Sequence, residues 1–398
     1  MALIHKIQKQ YIFIILVFLY ILIFYPGFMS EDSMSTYASA QSGIYKDSIP
    51  PTLSWVWGVL DTVYPGPALM FLINMALLWS GVYLLAFHLV RTNKLFWITV
   101  LMPYTPWIMT YAGFIWKDVI FTFGYGLLAM ILCFKDENQK RFSFPGSILF
   151  FGLLFYATSV KYQAQFVAPF MCFWFCRLQW PRDRQVLKFL KAVLFSASIG
   201  ASLFYVDQKL IPAEGRTHFW QYVKIYDLAG ISVRCHKILL PDFLVRTHDL
   251  KVIRKKYDFL WEPLIRYPDS PLRATYSDEE RTILQKTWQK AVIFYPFSYL
   301  AHRFWVFFQG TVNGPYLKLI LGRWGRIFSY SLLFPFQVWF AFSRHFSFSV
   351  RYLNRTGLSL MAILFVFSLA GTPRYIYFSI YLFFLSVPLA LQSYQVKS

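Results

Sequence analysis

The chain has 398 residues, of which 57% are hydrophobic, 21% aromatic and 15% charged. Two or three soluble domains cannot bury that much apolar surface, and a disordered chain would not contain it, so the composition is that of a polytopic membrane protein. Lysine and arginine number 39 against 19 acids, a formal charge of +20, and in a membrane chain that excess sets topology and meets anionic headgroups, with no nucleic-acid partner required.

A spanning helix needs about 20 mainly apolar residues to cross about 30 Å of hydrocarbon. About ten segments meet or approach that requirement. They run Tyr11 to Met29, Ala68 to Val90, Leu95 to Tyr111, Val119 to Phe134, Ser147 to Thr158, Gln163 to Cys176, Phe189 to Val206, Ile327 to Phe342, Gly357 to Gly371 and Tyr375 to Leu391. The fifth and sixth read as separate, because Lys161 and the polar run from Ser159 to Gln163 make one continuous span costly. The first reads as a retained anchor, since Tyr25, Pro26 and Gly27 stand where a cleavable signal carries small residues.

Orientation follows the cations of the short loops. Lys6 and Lys9, Arg91 and Lys94, Lys135 to Arg141, Arg177 to Lys188 and Arg344 to Arg355 fall on one side, which is expected to be cytoplasmic, with both termini. The chain then divides into an N-terminal transmembrane module over 1–206, with a first outer loop at 30–67, an extracytoplasmic segment over 207–326, and C-terminal transmembrane helices over 327–398. The expected fold is an all-α polytopic membrane protein whose two large outer segments carry the polar chemistry. Within the second of these, Ser277 followed by Asp278, Glu279 and Glu280 predicts a helix start, with Ile283, Leu284, Thr287, Trp288 and Ala291 forming an apolar face up to Phe294.

Acids are scarce, so those at the outer ends of spans stand out. Glu31 and Asp32 follow the first span directly, where a carboxylate can serve as general base or as a helix cap. Lys117 and Asp118 open the fourth span on the same side, as a functional pair or as a local ion pair anchoring the helix. Glu214 and His218 are four residues apart, but spacing supplies no third metal ligand; a divalent metal is possible chemistry that no spacing indicates. Cys172 and Cys176 read as packing residues, and Cys235 alone on the outer side has no disulfide partner there. No phosphate-cradling glycine motif marks a cytoplasmic nucleotide site.

Tyr25-Pro-Gly, then Asp32-Ser33, the polar stretch Gln41-Ser42-Gly43, Pro50-Pro51 ahead of an amphipathic helix, and Lys117-Asp118 together resemble the bacterial multispanning glycosyltransferases of the GT-C class. The likeness extends over Trp288 to Arg303 and the late Pro373-Arg374-Tyr375, and departs at Ile49, where relatives often carry a histidine. The resemblance implies a first outer loop that bears the catalytic Asp and interfacial helices. It also implies transfer of a sugar from a polyprenyl-phosphate carrier to a glycan, lipid or protein acceptor at the outer face of the bacterial cytoplasmic membrane. Asp32 would then be the base, with Glu31 and Asp118 as the other acids. The lipid phosphate would need cations at the bilayer surface, for which Lys117, Lys161, His302, Arg303 and Arg374 beside Tyr375 are candidates, while Asp227 is a candidate for the acceptor pocket. Each cation also serves as a headgroup anchor. The competing class is a transporter or flippase for lipid-linked glycan, in which the same charges line a path; such proteins place charges near the bilayer midplane in related halves, and the sequence has neither.

Overall fold

The computed structural model describes residues 2–212, 216–312 and 330–395. Among these the backbone is helical, with only isolated bridges between extended residues. The helices are α1 (Ala2–Phe24), α2 (Glu31–Ser42), α3 (Pro51–Asp61), α4 (Ala68–Leu84, extended by a π turn to Leu89), α5 (Asn93–Leu101) and α6 (Pro106–Ala112). They continue with α7 (Lys117–Glu137), α8 (Phe144–Ser159), α9 (Ala168–Gln179), α10 (Gln185–Leu210), α11 (Trp220–Cys235) and α12 (Leu250–Lys256). The last are α13 (Glu262–Ile265), α14 (Asp278–Phe294), α15 (Pro296–Val312), α16 (Phe334–Phe342), α17 (Phe348–Phe367) and α18 (Tyr377–Gln395). The described residues fall into two compact units, the first made of 2–212, 332–360 and 377–395, the second of 216–312, 330–331 and 361–376.

Among the described residues six helices are long and apolar enough to cross a membrane: Ile7–Phe24, Ala68–Leu89, Lys117–Glu137, Gln185–Leu210, Phe348–Phe367 and Pro373–Tyr394. The protein is therefore a multi-pass helical membrane protein by length and composition. The other expected spans differ from continuous helices for local reasons. Leu95 to Tyr111 is split into α5, a 3-10 turn at Met102–Tyr104 and α6, because Pro103 and Pro106 lack the N–H that an unbroken helix requires. Gln163 to Cys176 becomes a 3-10 turn at Tyr162–Phe166 followed by α9, and α8 has 16 residues, about 24 Å at 1.5 Å per residue. The segment expected from Ile327 begins outside the described residues, and within them is α16.

In the first unit the short pieces nonetheless run the height of their neighbours. Lys9 hydrogen-bonds Asn93, Tyr20 Oη donates to the Pro103 carbonyl at 3.1 Å, and Phe28 N donates to the Gly113 carbonyl at 2.8 Å. The broken α5–α6 segment thus accompanies α1 from end to end, and Tyr20 satisfies a carbonyl freed at the proline break. The α7–α9 array is fastened likewise, with Lys161 on Asp118 at one end and Arg177 on Asp136 at the other. Its core is aromatic: Phe121 meets Phe378 at 4.5 Å between ring centroids, and Tyr377 Oη donates to the Ile108 carbonyl at 2.8 Å.

The second unit packs α11, α14 and α15 around buried Ile225, Leu228, Ile231, Leu284, Ala291 and Val306. The predicted helix start at Ser277 forms as expected: its side chain accepts from Glu280 N at 3.1 Å, and Glu280 accepts two bonds from Arg273, at 3.1 and 2.8 Å.

Candidate functional site

The loop between α1 and α4 is assembled from the end of α1 onward. Gly27 takes φ +104°, and a Cβ there would lie 2.9 Å from Ile115 Cδ1, so the turn after Pro26 requires glycine on both backbone and packing grounds. The chain then forms a single parallel bridge between Phe28 and Phe114. Ser30 caps α2, accepting from Ser33 N at 3.4 Å, and takes a second bond from Trp116 Nε1 at 2.6 Å. Ser33 Oγ donates to the Ile115 carbonyl at 2.9 Å. These bonds fasten the first turn of α2, with Glu31 and Asp32, to the residues leading into α7, which opens on Lys117 and Asp118. Two pairs of adjacent residues, more than eighty positions apart in sequence, are thereby brought to one end of the first unit.

Their environments differ. Glu31 and Asp32 are exposed, Lys117 is half-buried, and Asp118 is buried. Asp118 Oδ1 accepts from Lys161 Nζ at 2.6 Å, and both side chains are only 3% exposed. The Asp118 carboxylate and the Lys161 ammonium thus neutralise each other inside the protein and fasten α7 to the segment between α8 and α9. Replacing Lys161 by Met removes the cation from beside a buried carboxylate and is expected to cost about 3–5 kcal/mol of stability. The double variant Lys161→Met, Asp118→Leu is expected to regain most of that loss in chemical unfolding.

The loop also contains a pair with no motif in the sequence. Tyr37 Oη on α2 donates to Asp61 Oδ1 at the end of α3, at 2.6 Å, and Gly66 N donates to the same oxygen at 2.7 Å. The Tyr37 hydrogen bond holds the Asp61 carboxyl below its ordinary value, against the opposing effect of burial, and raises the Tyr37 phenol. Asp61 abuts no span, so a search restricted to span ends passes over it; its scarcity as an acid is the one signal the sequence offers.

The second unit holds the remaining candidates. Asp227, in the middle of α11, is fully buried. Its Oδ1 lies 2.6 Å from Arg303 Nη2 and 3.1 Å from His302 Nε2, and its Oδ2 accepts from Trp288 Nε1 at 2.8 Å. Arg303 Nη1 donates to the Ser368 carbonyl at 2.6 Å, while His302 Nδ1 pairs with Tyr257 Oη at 2.6 Å, which also accepts from Arg234 at 3.0 Å. Burial would raise the Asp227 carboxyl, but Arg303 and His302 outweigh it and hold it below the usual range. Burial pushes the His302 imidazole down from 6.5 to about 4, so it is neutral at physiological pH. Asp227, His302 and Arg303 therefore form a sealed network that presents no polar atom to a solvent-borne ligand. Arg374 and Tyr375 sit on the 3-10 turn Pro373–Ile376, with the guanidinium carbon 5.3 Å from the Tyr375 ring centre.

Among the described residues no group of three or more His, Cys, Asp or Glu is placed to hold a metal, and Glu214, the partner considered for His218, lies outside them. All four cysteines are free thiols. No protein-family model, no curated protein and no solved structure matches the chain.

Proposed function

We propose that this protein is an inverting, GT-C-type glycosyltransferase that moves a sugar from a polyprenyl-phosphate carrier to an envelope glycan, lipid or protein acceptor on the outer face of a bacterial cytoplasmic membrane. The observation that carries the reading is the exposed carboxylate of Asp32, in the first turn of a helix that begins seven residues after α1 and is fastened to the head of α7. Asp32 takes the proton from the acceptor hydroxyl as its oxygen attacks the anomeric carbon; the bond from that carbon to the phosphate oxygen breaks, and the lipid phosphate leaves with the electron pair. Lys117, at the first position of α7, neutralises the charge gathering on that phosphate. The Lys161 ammonium lies 2.6 Å from Asp118 and is buried with it, whereas Lys117 is half-buried beside the exposed first turn of α2.

The two-ended fastening of α5–α6, α8 and α9 supports counting each as a crossing, and with it a topology in which both termini are cytoplasmic. Cysteine tagging is expected to find Ser42, Lys251 and Thr372 outside and Asn93, Asn138 and His345 inside; a cytoplasmic Lys251 would overturn this arrangement. For the activity, protein in nanodiscs is offered polyprenyl-phosphate sugars and candidate acceptors, with mass spectrometry of the products. Sugar transfer supports the proposal, whereas movement of intact donor across proteoliposome membranes without transfer would replace it by the flippase reading.

A further inference from the structure

We infer that α15 lies in the membrane interface, with a phospholipid bilayer covering its exposed face. The inference rests on the multi-pass reading of the chain and not on the proposed catalysis.

The helix is amphipathic in the wrong sense for water. Arg303 and His302 point inward and are 1% and 0% exposed, while Phe297 is 86%, Leu300 48%, Phe304 61% and Phe308 47% exposed. These four recur at helical spacing along one face, and Ile293 and Phe294, at the end of α14, are 72% and 75% exposed just ahead of them. A helix facing water turns its arginine out and its phenylalanines in, because apolar burial contributes about 25 cal/mol per Å². The reverse arrangement is stable when the outer medium is hydrocarbon.

The depth of α15 is set by what it holds. Residues 368–372 connect the two last candidate spans, Phe348–Phe367 and Pro373–Tyr394, and a connection between consecutive spans emerges at a membrane surface. That connection is fastened to α15. Arg303 Nη1 donates to the Ser368 carbonyl at 2.6 Å, and a Cβ on Gly371 would lie 2.5 Å from the Val306 carbonyl oxygen. Phe307 also meets Phe365, in the last turn of α17, at 5.7 Å between ring centroids. The exposed phenylalanines therefore stand at the level where spans leave the bilayer, and the apolar layer available at that level is lipid.

The test is spin labelling of the full chain in phospholipid nanodiscs, in a Cys235→Ser background because the other three cysteines are buried. Labels are placed by Phe304→Cys and, as a second site on the same face, Phe308→Cys, with Lys286→Cys on the exposed side of α14 as reference. Collision with dissolved oxygen is expected to exceed collision with a water-soluble nickel chelate several-fold at the two α15 sites, and the order is expected to reverse at the reference. Nickel access equal to the reference would place the face in water and overturn the inference. Shielding from both reagents would show a protein partner or a second copy there, and would overturn it equally. Neither reading requires sugar transfer, so failure here and failure of the catalytic proposal are distinguishable.

Discussion

Asp32→Asn is expected to lower sugar transfer at least ~100-fold, the usual scale for a positioned general base, while insertion and folding are unchanged. The amide keeps the shape of the carboxylate and removes its charge and its capacity to take a proton. The side chain is exposed, so no buried polar group is stranded by the change. The bonds that fasten this turn include Thr36 Oγ1 donating to the Asp32 backbone carbonyl at 2.7 Å and the contacts of Ser30 and Ser33 to Trp116 and Ile115, none of which uses the Asp32 carboxylate. Glu31→Gln is the control, because adjacent residues on a helix project about 100° apart and cannot both address one acceptor hydroxyl. Near-normal transfer by a well-inserted Asp32→Asn protein, with loss in Glu31→Gln, would move the base by one residue. Asp118 is not the natural substitute, since its carboxylate is enclosed with Lys161.

Asp227→Ala is expected to destabilise the second unit by about 3–5 kcal/mol, the cost of leaving a buried cation without its counter-charge. Arg303 is 1% exposed, and Trp288 loses its acceptor in the same change. Acid is expected to act in the same direction. The folded His302 titrates at about 4 against an ordinary 6.5, so between those values the unfolded chain holds the additional proton. Stability is full above about 6.5 and declines as pH falls toward 4. Asp227, whose folded value is depressed, adds a loss with the same sign as pH falls through the carboxylate range. The measurement is the denaturant midpoint of the detergent-solubilised protein at pH 7.5 and pH 5, for wild type and His302→Asn. An acid-induced drop in wild type that is smaller in His302→Asn is expected, and equal midpoints at the two pH values in wild type would show that the network does not exclude protons.

The two results would report on different levels of the molecule. Asp32 is conspicuous in the sequence because an acid directly after a hydrophobic run is rare, and the structure places it on an exposed helix turn. Its fastening to the head of α7 was not legible, since the bonds from Ser33 and Trp116 join residues more than eighty positions apart. Asp61 shows the opposite failure: nothing in its local sequence distinguishes it, and only the meeting of α2 and α3 gives it Tyr37 as a partner. The segment expected as a span over Leu95 to Tyr111 is not one continuous helix, for a reason visible in the sequence: Pro103 and Pro106 both interrupt it.

What the sequence by itself determined is class and local form: a helical membrane chain, a capped helix from Asp278 to Phe294, and a break between α8 and α9 at Lys161. These follow from transfer free energy and from short-range backbone preferences, which act over a few residues and are written in order along the chain. What only the tertiary structure decided is which side chains pair and which way they face. Lys161 found Asp118, Asp227 found His302 and Arg303, and α15 turned its arginine inward and its phenylalanines outward. Burial of a charge is tolerable only beside its counter-charge, and which counter-charge is reached depends on how distant helices pack, a quantity that no local pattern contains.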